Sequence, residues 1–406
     1  MIYLDNAATS FPKPSGMVEA MNLCIRNYCG NPGRSGHFMS VKTGEEIYRA
    51  RKTLADLLGI DHPERIIFFQ NTTQALNQAI KGVLLDGDSV VTTPMEHNSV
   101  LRPLEILKYQ GVTTYIAKVD LGKQGQSVAE AILSEIRDDT HLVVCAHASN
   151  TTGELLPIEE ISNGIVKINN QRQKRNRLNP LGRKLRPVLF LVDGAQSVGS
   201  VPLNLSKIHV DMLAAPGHKG LLGPQGTGFL YVAPGVEIAP LFEGGTGTLS
   251  KLLEIPPEFP EAFECGTLNA PGIVGLVYSA DFVGKIGIEA IHSYEKELIL
   301  PLEEALRNMK NVEVYGRSYS QDIDKTPVVL FNIKGKSCEE VTDILNSSYN
   351  IAVRGGFHCA PLAHKMLGTY DTGAVRISAG PFNTKAQINY AIDAVNSIAK
   401  LDFKPF

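Results

Sequence analysis

A regular alternation of helix-like stretches and short apolar runs, between residues 50 and 232, is the feature that most constrains the fold. Alternating strand and helix patterns predict β-α units that assemble into a mostly parallel sheet. The apolar runs predict seven strands: Ile66 to Phe69, Ser89 to Thr92, Tyr115 to Val119, Leu142 to Ala146, Leu189 to Val192, Met212 to Ala214 and Phe229 to Val232. We therefore expect an α/β fold in which helices flank a mostly parallel seven-stranded sheet.

The pattern changes after the stretch 242–272, which is rich in glycine and proline. The residues beyond it predict a smaller α+β unit, with a helical region 273–309, strands 312–315 and 328–333, and helices 338–346 and 385–401. A chain of 406 residues also exceeds the size at which one hydrophobic core keeps growing. We predict a large α/β domain over 16–265 and a small domain formed by 1–15 and 266–406.

Composition argues against several classes of function. A formal net charge of −3 gives no general attraction to nucleic acid or anionic membranes, and no apolar run reaches the length of a membrane-spanning helix. Residues Met1 to Asp5 lack the basic segment and apolar core of a signal peptide. The six cysteines have neither the density of a disulfide scaffold nor the paired spacing of metal ligands. We expect a cytoplasmic protein with reduced thiols, no metal and no nucleic acid partner.

The segment 167–186 carries eight basic residues and no acidic one. Pro180, Gly182 and several asparagines in it are typical of irregular structure. We predict a solvated surface loop, with docking of an acidic partner as the alternative.

Polar residues follow the predicted strands at the edge where an open parallel sheet binds its ligands. They are Asn71-Thr72-Thr73, Glu96-His97-Asn98, Ser149-Asn150, Asp193-Gly194-Ala195-Gln196 and Gly217-His218-Lys219. We expect the functional site among them.

Lys219 and Cys359 put an amine and a thiol nucleophile on one chain. A lysine can hold a carbonyl cofactor as a Schiff base, whereas a cysteine can accept a sulfur or selenium atom. Asp193 could keep a pyridine nitrogen protonated, and Gln196 could donate to a phenolic oxygen. Taken alone, such an aspartate is more often a helix cap, and most lysines are simply solvated. Together these residues indicate pyridoxal phosphate chemistry that ends in sulfur transfer.

Thr72 and Thr73 precede a helical pattern, so their hydroxyls and the backbone amides would converge on a phosphate at a helix N-terminus. The alternative is an ordinary helix cap. His97 could stack on a planar cofactor ring, or it could be a loop histidine with ordinary hydrogen bonds.

The ordered motifs resemble those of a known family across nearly the whole chain. They are Tyr3-Leu4-Asp5-Asn6-Ala7-Ala8-Thr9, Asn71-Thr72-Thr73-Gln74-Ala75-Leu76-Asn77, Glu96-His97-Asn98-Ser99, Asp193-Gly194-Ala195-Gln196-Ser197, Gly217-His218-Lys219, Gly266-Thr267-Leu268-Asn269, Arg354-Gly355-Gly356-Phe357-His358-Cys359-Ala360 and Val375-Arg376-Ile377-Ser378. The chain resembles the fold type I pyridoxal phosphate enzymes of the class V aminotransferase group, specifically the cysteine desulfurases and selenocysteine lyases.

The resemblance implies a role for each matching residue. It implies that Lys219 holds pyridoxal 5'-phosphate, that His97 stacks on its ring, that Asp193 pairs with its nitrogen, that Asn150 and Gln196 flank its phenolic oxygen, and that Thr72, Thr73 and His218 contact its phosphate. Gly266 and Thr267 match phosphate contacts that the family supplies from the other subunit, which implies a homodimer with shared sites. Arg376 matches the arginine that grips the substrate carboxylate, with Asn150 as a further substrate contact, and its alternative is a structural ion pair.

Two departures from the family limit these assignments. Many relatives have a serine two residues before the His-Lys pair, but this chain has Pro216, which removes a hydroxyl donor from the phosphate site. The run Pro361-Leu362-Ala363-His364-Lys365 also differs, so His364 is given no role.

Sixteen residues separate Cys359 from Arg376, which resembles the group II desulfurases, whose cysteine lies on a short, ordered segment. We expect that a sulfur-acceptor protein or a small thiol must approach the pocket.

The reaction that these residues predict begins when Arg376 fixes the amino acid and Lys219 removes its α-proton. The Cys359 thiolate then attacks the sulfur and becomes a persulfide, and alanine is left. His358 or His97 could lower the pKa of the thiol or take its proton. If residues 358 and 359 are extended, their side chains point to opposite faces, which makes His97 the better candidate for proton exchange with the substrate. Three alternatives stay open: a selenocysteine lyase, another aminotransferase or β-eliminating lyase, and a cofactor-free assembly scaffold.

Overall fold

The computed structural model of the chain describes residues 1–32, 36–119, 127–182, 184–247, 251–319 and 323–400. The helices are α1 Ser15–Asn27, α2 Phe38–Leu58, α3 Thr72–Val83, α4 Asn98–Leu107, α5 Val128–Ser134, α6 Ile158–Leu178, α7 Ala270–Ile286, α8 Ile288–Arg307, α9 Cys338–Tyr349, α10 Pro361–Met366 and α11 Lys385–Lys400. The strands are β1 Ile2–Tyr3, β2 Ile66–Phe69, β3 Ser89–Thr92, β4 Thr113–Ile116, β5 Thr140–Ala146, β6 Leu189–Asp193, β7 Met212–Pro216, β8 Gly228–Val232, β9 Val312–Tyr315, β10 Val328–Ile333, β11 Ile351–Ala352, β12 Arg354–Gly356 and β13 Ala374–Ser378.

Seven of these strands form the predicted mostly parallel sheet, in the order β2-β8-β7-β6-β5-β3-β4. The neighbours from β4 to β7 are parallel, whereas β8 runs antiparallel to both β7 and β2. The predicted strand Tyr115 to Val119 is shifted, because β4 pairs with β3 only from Thr113 to Ile116 and then leaves the sheet. Ala117 and Val119 made that run apolar, but they are buried beyond the end of the ladder.

The two faces of the sheet carry separate hydrophobic clusters. Along β5, Leu142 and Val144 pack into the cluster that contains α3 and α4, whereas Val143 and Cys145 pack into the one that contains α2, α6 and α7. A strand covered on both faces reads as a continuous apolar run, which explains why β5 was visible in the sequence. None of the helices in the described ranges combines the length and apolar character that crossing a membrane requires.

The predicted helical region 273–309 consists of two helices, α7 and α8, separated at Gly287. Gly287 has φ of 90°, a conformation that residues with a side chain rarely adopt. Helix α7 packs on α1 and α2, and its Ile273 and Leu276 belong to the core of the large sheet. Helix α8 instead packs on α11 and the smaller sheet. The domain boundaries given above stay a prediction.

The C-terminal part contains a four-stranded antiparallel sheet in the order β12-β13-β10-β9. The N-terminal strand β1 pairs with β11, and Leu4 lies in the same hydrophobic cluster as β10, α9 and α11. Asp5 bridges to Ser378 at the end of β13, so the first residues of the chain contact the C-terminal sheet.

The prediction of a surface loop over 167–186 is wrong for its first part, because α6 continues to Leu178. Arg172 is buried there, and its guanidinium donates to the carbonyl oxygens of Thr140, Arg186 and Arg137. Arg175 forms a two-pronged pair with Asp138. The basic residues of this segment therefore belong in part to a helix, and its arginines form hydrogen bonds with neighbouring segments. Arg183 lies outside the described residues.

Candidate active site

The carboxyl ends of β5, β6 and β7 open into a cavity of about 220 Å³. Most of the predicted site residues line it: Thr72, Thr73, His97, Asn150, Asp193, Gln196, His218, Lys219, His358 and Arg376. Asp193, at the end of β6, together with Gln196, His218 and Lys219, which follow β6 and β7, is called the cavity floor here. The sheet therefore brings together residues that are up to about 300 positions apart in the sequence.

Lys219 lies three residues beyond β7. Part of the Lys219 side chain is accessible from the cavity, but the amine is largely desolvated. This burial lowers the pKa of the amine to about 8. Asp193 opposes the shift, whereas Arg376 and Arg354 add to it. Near neutral pH a larger fraction of this amine is therefore unprotonated and nucleophilic than for an ordinary lysine.

Asp193 is buried at the end of β6, and its Oδ1 accepts a hydrogen bond of 2.9 Å from the amide of Ala195. This bond closes a local turn and caps no helix, so the helix-cap alternative does not apply. Burial raises the pKa of Asp193, while Ala195 and Lys219 oppose the rise. Nearby, Gln196 donates to the carbonyl oxygen of Ala7 at 3.0 Å.

The cavity contains two polar atoms suited to an anion, one in the first turn of α3 and one after β7. Asn71 is the N-cap, since its side chain accepts from the amide of Gln74 at 3.0 Å, and Thr72 is therefore not needed as a cap. Oγ1 of Thr72 and Nδ1 of His218 are both buried without a hydrogen-bond partner among the described residues. Two orphaned polar atoms beside a helix N-terminus fit a phosphate group.

Gly228 lets the backbone pack closely behind this turn, because a Cβ there would lie 2.7 Å from the carbonyl carbon of Asn71. Pro216 pairs with Gly228 in the sheet and does not line the cavity. Position 216 therefore supplies no side-chain donor to the predicted phosphate site.

His97 is the N-cap of α4, and its Nδ1 accepts from the amide of Ser99 at 3.0 Å. Burial, followed by the positive charge of Lys219, lowers the pKa of His97 to about 4. The neutral ring must then carry its hydrogen on Nε2, because Nδ1 is an acceptor. Such a ring is suited to stacking and to donating a hydrogen bond, and it is a weak proton acceptor.

Arg376 lies in the middle of β13 and is 1% exposed. One amine of its guanidinium pairs with Asp5 at 2.8 Å, and the other donates to the carbonyl oxygen of Asn150 at 2.9 Å. Its Nε is buried without a partner among the described residues. The structural ion pair that was the alternative exists, yet Arg376 also lines the cavity and keeps an unused donor.

Cys359 lies in the segment 357–360, which we call the rim loop, and its side chain does not line the cavity. His358 and Cys359 have φ of 51° and 56°, so the segment is left-handed and the alternation expected of an extended segment does not apply. Nη2 of Arg354 lies 3.8 Å from Sγ of Cys359. The rim loop is fixed by Asn98, whose amide donates to the carbonyl oxygen of Cys359 at 2.7 Å.

Gly266 and Thr267 do not line the cavity of their own chain. The amide of Gly266 donates to Gly245 at 2.9 Å, and the two residues border separate clefts with Glu264. Their predicted role as contacts to the other subunit stays a prediction.

The sequence did not assign roles to Asp5, Glu96 or Arg354, although all three lie in the quoted motifs. Arg354 lies opposite Arg376 in the antiparallel pairing of β12 with β13 and also lines the cavity. Glu96 is fully buried behind His97, where Oε1 accepts from Thr93 and from the amide of Ala146. These contacts join distant segments, so only their membership in motifs could have drawn attention to them.

Comparisons with known proteins agree with this geometry. The model of the family described as aminotransferase class V matches residues 2–390. A probable cysteine desulfurase of Methanothermobacter thermautotrophicus is 34% identical, with 98% of this chain and 94% of that protein covered. A cysteine desulfurase of a Nostoc species is 32% identical, with 98% and 93% covered.

Among solved structures, the apo structure of a cysteine desulfurase from Thermococcus onnurineus matches with a TM-score of 0.85 and 30% identity. The match covers 98% of this chain and 94% of that one. These findings confirm the predicted fold type I architecture and the resemblance on which the site residues were assigned.

Proposed function

Because the chain belongs to the class V aminotransferase family, in its cysteine desulfurase group, we propose that it converts L-cysteine to L-alanine and transfers the sulfur to Cys359. The observation that carries this proposal is the pairing of two sites. An amine of lowered pKa, Lys219, shares a cavity with Asp193 and Arg376, and a thiol lies at the edge of that cavity beside a guanidinium.

Members of this family depend on pyridoxal phosphate, and the described residues fit that cofactor. Lys219 would hold it covalently, Asp193 would pair with its ring nitrogen and His97 would cover its ring. Asn150 and Gln196 would flank its phenolic oxygen, and the orphaned atoms of Thr72 and His218, with Thr73, would bind its phosphate. When bound, the cofactor supplies an electron sink for charge that develops at the α-carbon of the amino acid.

The remaining chemistry is assigned to side chains of this chain. Arg376 binds the carboxylate of the amino acid through its planar fork, while Lys219 moves the α-proton. The thiolate of Cys359 attacks the substrate sulfur, the bond from Cβ to sulfur breaks, and protons return to the carbon skeleton to give alanine. Nη2 of Arg354 lies 3.8 Å from Sγ, so a cationic guanidinium stands beside the attacking sulfur.

His97 is a weaker candidate for the acid-base step than the sequence indicated. Its Nδ1 is occupied by the amide of Ser99, so the nitrogen that remains already carries a hydrogen. We therefore assign His97 to covering the cofactor ring and to donating a hydrogen bond, and proton movement to Lys219.

A second subunit and a sulfur acceptor complete the proposal. We propose a homodimer in which Gly266 and Thr267 of each subunit contact the phosphate held by the other. Cys359 is exposed on a short loop, so a protein or small thiol acceptor would meet it at the edge of the cavity. The six thiols are free, which fits a reducing compartment such as the cytoplasm.

Selenocysteine is the alternative substrate, and it is not favoured, since the relatives named above are cysteine desulfurases. The test is to incubate the purified protein with cysteine or selenocysteine and to quantify alanine, the released chalcogen and the mass of the Cys359 peptide.

We expect alanine from cysteine and an added sulfur on Cys359. Cys29→Ala, which removes another exposed thiol, is the matched control and should keep both. Turnover of selenocysteine alone, with an unmodified Cys359, would replace the proposal with the lyase.

A further inference from the structure

Two buried histidines, one in the rim loop and one in the helix that follows it, take no part in the reaction proposed above. His364, in α10, is inaccessible to solvent, and its ring lies nearly parallel to that of His358, with centroids 5.4 Å apart and planes 13° apart. Nδ1 of His358 lies 3.2 Å from Nε2 of His364, and Nδ1 of His364 lies 2.7 Å from Oγ1 of Thr369. We call His358, His364 and Thr369 the histidine link.

The hydrogen-bond partners determine which nitrogen of each ring carries the hydrogen. Nε2 of His358 lies 3.2 Å from the carbonyl oxygen of Arg354, and a carbonyl only accepts, so Nε2 is the donor. Nδ1 of His358 must then accept from Nε2 of His364, which leaves Nδ1 of His364 to accept from the hydroxyl of Thr369. One assignment of hydrogens therefore satisfies every member while both rings are neutral.

The surroundings keep His358 neutral. Burial, followed by the positive charge of Arg376, lowers the pKa of His358 to about 2, and burial also lowers the pKa of His364. Nδ1 of His358 is in addition occupied by a hydrogen bond, since it lies 3.2 Å from Nε2 of His364. His358 is therefore unsuited to take the proton of Cys359, and its contacts point to a structural contribution.

The histidine link ties the rim loop to the elements on both sides. It connects Arg354 in β12 to α10 and to Thr369 beyond it. His358 is held a second time by Asn150, whose Nδ2 donates to its carbonyl oxygen at 2.7 Å. Residues 358 and 359 are two successive non-glycine residues with a left-handed backbone. Such a conformation is unfavourable and persists only where surrounding contacts stabilise it.

We propose that His364 and Thr369 are positioning residues that hold His358, and through it the left-handed backbone of Cys359, so that Sγ lies beside the guanidinium of Arg354. The proposal rests on the role of Cys359 proposed above, since it explains how that thiol is kept in one place. It also assigns a role to His364, which differs from the familiar pattern of the family.

The test measures the thiol itself. The rate at which iodoacetamide alkylates Cys359 is followed by mass spectrometry of its peptide, at several pH values around neutrality, in purified protein with cofactor. In His364→Leu the rate should fall roughly tenfold, because Sγ of Cys359 would no longer be held 3.8 Å from the cationic guanidinium of Arg354. The kcat with cysteine should fall, whereas KM and the absorbance band of the lysine-bound cofactor should stay unchanged.

Conservative variants separate positioning from simple loss of packing. His364→Gln retains an N–H that can donate to Nδ1 of His358, so its alkylation rate should be close to that of the wild type. Thr369→Ser, which keeps the hydroxyl, should likewise be alkylated faster than Thr369→Val. His62→Leu, at an exposed histidine distant in sequence from Cys359, is the matched control. In this variant Cys359 should be alkylated at the wild-type rate.

If His364→Leu and Thr369→Val alkylate at the wild-type rate, the proposal is overturned. If His364→Leu does not fold by circular dichroism, the comparison of Thr369→Val with Thr369→Ser decides the matter. Failure of the proposed function is distinguishable, because it would show as full activity of Cys359→Ala, while the alkylation rates would still report whether the histidine link positions the thiol.

Discussion

The cavity floor and the rim loop hold their reactive groups in different ways. Asp193 ends a central strand, where it pairs with Ala214, and Lys219 lies three residues beyond the neighbouring strand, in a sheet that is covered on both faces. Cys359 lies on an exposed loop whose backbone is left-handed and whose support comes from side chains. The comparison indicates that the cofactor end of the site is built into the sheet, whereas the thiol end depends on a few side-chain contacts.

Loss of Lys219 should have the largest effect on activity, and it should affect the cavity floor without affecting the rim loop. We expect Lys219→Ala to lower alanine formation by at least about 10³-fold, since it removes a group that moves a proton. The absorbance band of the lysine-bound cofactor should be lost, while Cys359 should still react with iodoacetamide at the wild-type rate. Lys285→Ala, at an exposed lysine, serves as the control.

Cys359→Ala should remove the sulfur acceptor of the rim loop and leave the cavity floor unchanged. We expect no detectable alanine from cysteine, because the substrate sulfur has no acceptor, together with an unchanged cofactor absorbance band. A spectrum altered as much as in Lys219→Ala would mean that the two regions are not independent.

Arg376→Lys tests a residue that lines the cavity together with the floor residues and His358 of the rim loop. A lysine cannot reproduce the planar fork, so we expect KM for cysteine to rise roughly 10- to 100-fold with a smaller change in kcat. Steady-state kinetics with cysteine measure both constants. An unchanged KM would assign Arg376 to the ion pair with Asp5 alone.

The protonation of Lys219 offers a gentler test of the floor. The amine captures cofactor only when unprotonated, so the rate at which cofactor-free protein takes up cofactor should rise with pH through a midpoint near 8. Asp193→Asn should move this midpoint to lower pH, because Asp193 raises the pKa of Lys219. A midpoint close to the ordinary lysine value of 10.5 would contradict the assignment.

Gly287→Ala should have the smallest effect on activity. Gly287 lies at the break between α7, which packs on the large sheet, and α8, which packs on the smaller one. A side chain at φ of 90° should lower the free energy of unfolding by about 1–3 kcal/mol without changing kcat/KM. Chemical denaturation and steady-state kinetics measure the two quantities, and a large loss of activity would mean that this junction affects the site.

The same contrast explains what could be predicted from the sequence. The central strands are covered on both faces, so they appear as apolar runs, and the polar residues that end them could be placed at one edge. The histidine link could not be found this way, because His364 reaches His358 only through a left-handed turn. The continuation of α6 was missed because Arg172 reads as a solvated charge until its three carbonyl partners are known.

The pairing of β12 with β13 sets Arg354 and Arg376 directly opposite each other, on one side of the sheet and both facing the cavity. Two like charges at such a position repel, and within the described parts of the chain Asp5 offsets Arg376 alone of the two. We expect the positive charge of this pair to attract small anions to its end of the cavity before an amino acid binds. Inorganic phosphate and sulfate should consequently compete with cysteine, and this inhibition should weaken as the ionic strength from monovalent salt increases.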